Sequence, residues 1–208
     1  MLFVRYENLK SYLRYYPITS ILFVVNIVMF LVTLFNGGIN NLTLAKYGGL
    51  INAEPYSEEL WRYVSSIFLH GSLMHLVFNN FALVVFAPPL ERMLGSWKYL
   101  ILYILSGILG NVMSTVGYNM QDKLTLSIGA SGAIYGVYGA FLYIALLKKD
   151  WMDDASRKTL YGLLVFNIIF SVSSPGINWL AHAGGLIGGF IIFAVMIRFL
   201  ISRNQRNL

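Results

Sequence analysis

Six apolar stretches, each near the length of a bilayer-spanning helix and parted by short polar segments, leave this 208-residue chain little from which to build a soluble domain. A hydrocarbon core of about 30 Å takes roughly 20 apolar residues as helix. The stretches run over about residues 18–36, 73–90, 97–118, 129–147, 159–174 and 178–200. At 57% hydrophobic and 12% charged residues, the composition is that of a polytopic membrane protein. The expected fold is an all-α bundle of six transmembrane helices, a single domain over residues 1–208 with short cytoplasmic tails. The first apolar run begins near Pro17 and no small-residue cleavage site follows it, so the first span is expected to be retained rather than removed as a signal peptide.

The basic residues set the orientation. With the N-terminus in the cytoplasm, the inner segments hold twelve of them: Arg5, Lys10, Arg14, Arg92, Lys98, Lys148, Lys149, Arg157, Lys158, Arg198, Arg203 and Arg206. The outer segments hold Lys46, Arg62 and Lys123. This bias places both termini inside, so spans two, four and six all descend from the outer face. The net charge of +6 is thereby accounted for by topology, and no nucleic-acid partner is expected. The chain has no cysteine, which excludes disulfides, thiol catalysis and thiolate metal sites. The outer stretch from about Gly37 to Ser72 is too interrupted to span and is expected to lie in the interface, anchored by Tyr47, Tyr56, Trp61 and Tyr63.

Polar groups at membrane depth are costly, so each is a functional candidate. The spans contain His75, Asn79, Asn80, Asn111, Ser131, Asn167 and His182, and His70 stands just before span two. His75, Asn79, Ser131 and His182 all fall in the first turns of helices descending from the outer face, at matching shallow depth. His75 and Asn79, four residues apart, share one helix face. Gly132, Gly136 and Ala140 form a small-residue stripe on span four, and Ala181, Gly185 and Gly189 form another on span six. Facing stripes of this kind let helix backbones touch, which would bring Ser131 and His182 within hydrogen-bond reach. Taken singly, Ser131 reads as helix packing and Asn79 as interhelical glue, the reading kept for Asn80, Asn111 and Asn167. Taken together, four such groups at one depth point to a catalytic site.

These residues resemble the motifs of the rhomboid family of intramembrane serine proteases. Gly129-Ala-Ser-Gly-Ala-Ile-Tyr-Gly136 is similar to its GxSGxxxG nucleophile motif, Ala181-His-Ala-Gly-Gly-Leu-Ile-Gly-Gly189 to its AHxxGxxxG base motif, and His75-Leu-Val-Phe-Asn79 to its HxxxN oxyanion motif. Trp61-Arg62 and Glu91-Arg-Met-Leu-Gly95 resemble the family's WR pair and ExxxG segment. The resemblance covers roughly residues 40–200. It implies Ser131 as nucleophile, His182 as base, His75 and Asn79 at the oxyanion, and supporting roles for Gly129 and for Tyr135, which would stack on His182. It also implies transmembrane-protein substrates in the lipid bilayer of a bacterial plasma membrane, with lateral access between spans two and five and the loop at 172–178 as a gate. Pro88-Pro89 departs from the pattern, and an abrupt end to span two is expected there.

No acid lies within a span except Glu91 at an inner end, so a Ser-His dyad rather than a carboxylate triad is expected. No cofactor is implied. A zinc protease is disfavoured because the chain has three histidines and no HExxH. A transporter using His75 and His182 as a proton relay would lack intramembrane acids and internal repeats.

Overall fold

A computed structural model of the chain describes the backbone of residues 2–4, 6–174 and 176–206 and the side chains through residue 200. Arg5 and Pro175, and the side chains of Arg203 and Arg206, lie outside the described residues. In chain order the helices are α1 (Leu9–Tyr15), α2 (Pro17–Phe35), α3 (Asn41–Lys46), α4 (Arg62–Ser65), α5 (Leu73–Leu94), α6 (Ser96–Asn119), α7 (Ser131–Leu147), α8 (Asp154–Ser173) and α9 (Trp179–Arg206). Two short strands, β1 (Leu50–Ile51) and β2 (Leu126–Ser127), pair antiparallel with Leu50 opposite Ser127. The molecule is thus mostly helical, and many large apolar side chains face outward, among them Val24, Phe81, Leu105, Phe166 and Ile191. Among the described residues, four segments are long and apolar enough to cross a bilayer: α2, α5, α6 and residues 179–200 of α9. Helix α7 is apolar but has 17 residues, about 25 Å at ~1.5 Å per residue. Helix α8 begins with charged residues, which lowers its apolar content.

Span two does not stop at its prolines. Helix α5 continues through Pro88 and Pro89 to Leu94. A proline donates no backbone hydrogen bond, so carbonyls one turn earlier are freed and must find other partners. The Tyr12 hydroxyl donates to one of them, the Val84 carbonyl, at 3.2 Å. Just beyond, the buried Glu91 carboxylate accepts from the Ile18 and Thr19 backbone N–H groups, both at 2.9 Å, and from the Thr19 and Ser96 hydroxyls. It therefore caps the N-terminus of α2, where unpaired N–H groups and the positive end of the helix dipole favour an anion. Pro17 at the first turn needs no such partner.

The core is the packing of α7 against α9 and α6. A Cβ built on Gly185 would overlap the Gly132 carbonyl oxygen, and one on Gly189 would overlap that of Gly136. The two small-residue stripes do face each other, at a separation that only glycine permits.

The segment between α2 and α5 folds on a buried arginine. The Arg62 guanidinium donates to the Ala45 and Gly49 carbonyls at 2.6 and 2.9 Å, and the Tyr56 and Trp61 rings lie 4.4 and 4.6 Å from it. Asn111 donates to the Tyr63 carbonyl and the Ser66 hydroxyl, fastening α6 to this segment. Asn26 donates to Asn80 at 2.8 Å, joining α2 to α5. The glue expected of Asn80 and Asn111 is present. Asn167, half-buried, instead donates to the Leu163 carbonyl of its own helix, a back-bond to the preceding turn that competes with a bond to another helix.

Candidate active site

Ser131 is the first residue of α7, and the extended backbone before it gives its position. The Gly129 N–H donates to the Ser66 carbonyl at 2.9 Å, and Gly129 adopts φ +115°, a conformation that L side chains rarely take. A Cβ there would also sit 2.6 Å from His75 Nε2 and 3.6 Å from Asn79 Nδ2. Both side chains of the shared α5 face therefore point at the backbone two residues before Ser131. The first N–H groups of α7, that of Ser131 among them, have no partner within the helix.

His182 lies in the first turns of α9, and Asn178 fixes where that helix begins. The Asn178 side-chain oxygen accepts from the Ala181 N–H at 3.1 Å, while its amide donates to the Ser114 and Ser127 hydroxyls at 2.6 Å each. One asparagine thus caps α9 and ties it to α6 and β2. The stripe contact between α7 and α9 then sets His182 Nε2 2.8 Å from Ser131 Oγ. The Tyr135 ring stacks on the imidazole with centroids 4.2 Å apart and planes 12° from parallel.

All six residues singled out from the sequence, Ser131, His182, His75, Asn79, Gly129 and Tyr135, meet around one point. Asn79 is 7% exposed, and its side-chain Nδ2 is buried with no hydrogen-bond partner among the described residues. An unpaired buried donor costs roughly 1–3 kcal/mol, which a protein tolerates where the donor has a use. Behind Ser131 lies a cavity of about 10 Å³ bordered by Asn111, Ser127, Gly129 and Asn178, enough for one water. Outside it, a cleft of about 330 Å³ opens between Tyr118 to Leu126 and Gly176 to Asn178.

Two contacts lay beyond the sequence reading. Asn178 carries an ordinary helix-start signal, an Asn just ahead of the apolar run Trp179-Leu-Ala, and was open to detection. Ser171 carried none, yet its hydroxyl is 2.7 Å from His182 Nδ1 and 2.9 Å from the Tyr135 hydroxyl. Among the described residues no cluster of three metal-binding side chains occurs.

The Rhomboid domain family model matches residues 57–199. The chain is 32% identical over 199 residues to YdcA of Bacillus subtilis, whose name assigns it to the rhomboid proteases, covering 92% of this chain and 94% of that one. It is 35% identical over 182 residues to the rhomboid protease GluP of Bacillus subtilis, covering 86% of this chain and 35% of GluP. Against the rhomboid-type serine protease 2 of Emericella nidulans the identity is 29% over 154 residues, covering 73% of this chain and 30% of that protein. The chain therefore spans nearly all of YdcA and about a third of the other two.

Proposed function

Because the chain belongs to the rhomboid family, an integral multi-pass membrane family of intramembrane serine proteases, we propose that it hydrolyses peptide bonds in or near transmembrane segments through a dyad of Ser131 and His182. The observation that carries this reading is the 2.8 Å separation of His182 Nε2 and Ser131 Oγ on helices whose backbones touch. His182 takes the Ser131 proton as Ser131 Oγ attacks the scissile carbonyl carbon. The carbonyl oxygen becomes an oxyanion, met by Asn79 Nδ2, His75 and the Ser131 backbone N–H. The imidazolium then protonates the leaving amine. A water, activated by the same imidazole, hydrolyses the acyl-enzyme and restores Ser131.

The unpartnered Asn79 amide supports the oxyanion assignment, since its donor is held in place before any oxygen arrives. The polar cavity beside Ser131 supports a route for water. Residues 1–208 are read as one domain whose spans are α2, α5, α6, α7, α8 and α9, set in a bacterial plasma membrane with both termini in the cytoplasm and the site open to the outer face. Its substrates are other transmembrane proteins, single-pass ones included. They reach the site laterally between α5 and α8, where Phe78, Phe81, Phe166 and Phe170 are exposed. A fluorophosphonate probe tests the nucleophile: Ser131 should be labelled in the folded protein, and His182→Ala should abolish labelling. Labelling that persists in Ser131→Ala would refute the assignment.

A further inference from the structure

We propose that Ser171 is a positioning residue, the hydroxyl that holds the His182 imidazole in the tautomer a general base needs, in the place where a triad has a carboxylate. The inference rests on the protease reading given above.

A base that accepts the Ser131 proton at Nε2 must carry its own ring proton on Nδ1, and that proton requires an acceptor. Ser171 Oγ is 2.7 Å from Nδ1 and is buried at 5% exposure. It also shares a hydrogen bond with the Tyr135 hydroxyl, 2.9 Å away, in which either hydroxyl can be the donor. The reverse arrangement, Ser171 donating to Nδ1, would put the ring proton on Nε2, pointing at the nucleophile and unable to accept from it. Tyr135 thus acts on the base twice, through its stacked ring and, by way of Ser171, through its hydroxyl.

The bond is not the default behaviour of a serine in a helix. Thr159, Asn167 and Ser173 on the same helix each donate to a carbonyl four residues earlier, those of Ala155, Leu163 and Ile169. Ser171 faces α9 instead. Helix α8 otherwise presents Val165, Phe166, Ile169, Phe170 and Val172 outward, so Ser171 is its one buried group in this last turn and its polar link to the base.

Threonine and valine have nearly the same shape and differ here by the hydroxyl alone, so Ser171→Thr and Ser171→Val separate hydrogen bonding from packing. Full-length protein in lipid nanodiscs should be assayed on a model single-pass substrate, and the three histidines read by ¹⁵N spectra of histidine-labelled protein, assigned with His70 and His75 variants. The expected result is that Ser171→Val lowers kcat about tenfold or more with KM little changed. That is less than the ~10⁴ lost with a triad carboxylate, because a neutral hydroxyl is the weaker partner. Ser171→Thr should recover most of the loss. In wild type the His182 Nδ1 should carry the proton, and in the Val variant the two tautomers should mix. If kcat and the tautomer do not move together, or if Thr and Val behave alike, the proposal is overturned. If wild type cuts no substrate, or Ser131→Ala still cuts, the protease reading fails, while the ¹⁵N comparison still decides what Ser171 does to the ring.

Discussion

His182 Nε2 lies 2.8 Å from Ser131 Oγ, although the two residues are 51 positions apart and sit on different helices. The distance is set by glycine rather than by the two side chains themselves. The Gly132 carbonyl occupies the place that a Gly185 side chain would need, three residues past the histidine and one past the serine.

Gly185→Val should therefore separate the α7 and α9 backbones. The expected result is a lower thermal midpoint, from overpacking of roughly 1–3 kcal/mol, together with activity reduced well beyond the fraction unfolded. Gly162 is the control: nothing lies within 4 Å of a Cβ built there. Gly162→Ala should leave activity intact and stabilise the helix slightly, by up to about 1 kcal/mol.

Asn79→Ala should lower kcat about tenfold to a thousandfold while KM shifts less than a few fold, as for the loss of one oxyanion donor. Since the Nδ2 group has no partner to lose, the thermal midpoint should not fall. A fall in stability with near-normal kcat, seen for both Asn79→Ala and His75→Ala, would remove the oxyanion assignment.

Four of the expected spans, and the meeting of His75, Asn79, Ser131 and His182, were legible in the sequence because both rest on simple rules: apolar length for the helices, cost at membrane depth for the polar groups. The continuation of α5 past Pro88 and Pro89 was not. It depends on Tyr12, more than seventy residues away in the chain, reaching the Val84 carbonyl. Nor was Ser171, since a helix serine ordinarily bonds its own preceding turn and nothing in its neighbours marks the exception. Local pattern reports which face a residue occupies, and long-range partners follow only once the helices are packed.

The orientation read from the basic residues predicts which loops are reachable from outside. In intact cells, a cysteine introduced at Asp122 should react with an impermeant thiol reagent and one at Asp153 should not, with no native cysteine to confuse the readout. The opposite labelling would overturn the topology.

His70 adds a pH dependence to stability. It lies in the loop before α5 with its ring fully buried, 5.1 Å from that of His75. Burial, reinforced by His75, pushes its pKa down to about 3. Above the ordinary value near 6.5 both folded and unfolded states are neutral there, and the group contributes no slope. Between about 6.5 and 3 the unfolded chain takes up a proton that the folded one refuses, so stability falls as pH drops. Unfolding midpoints from pH 7.5 to 5 should decline in wild type, and His70→Leu should reduce that slope by close to one proton. An unchanged slope in the variant would show that His70 is not the group responsible.

The most direct test of the central claim is cleavage of a model single-pass substrate in liposomes by wild type, Ser131→Ala, His182→Ala and the double variant. Two residues acting as one unit should give near-complete loss for either single substitution and little further loss when both are changed. Folded, reconstituted Ser131→Ala protein that keeps more than a few per cent of wild-type turnover would contradict the account.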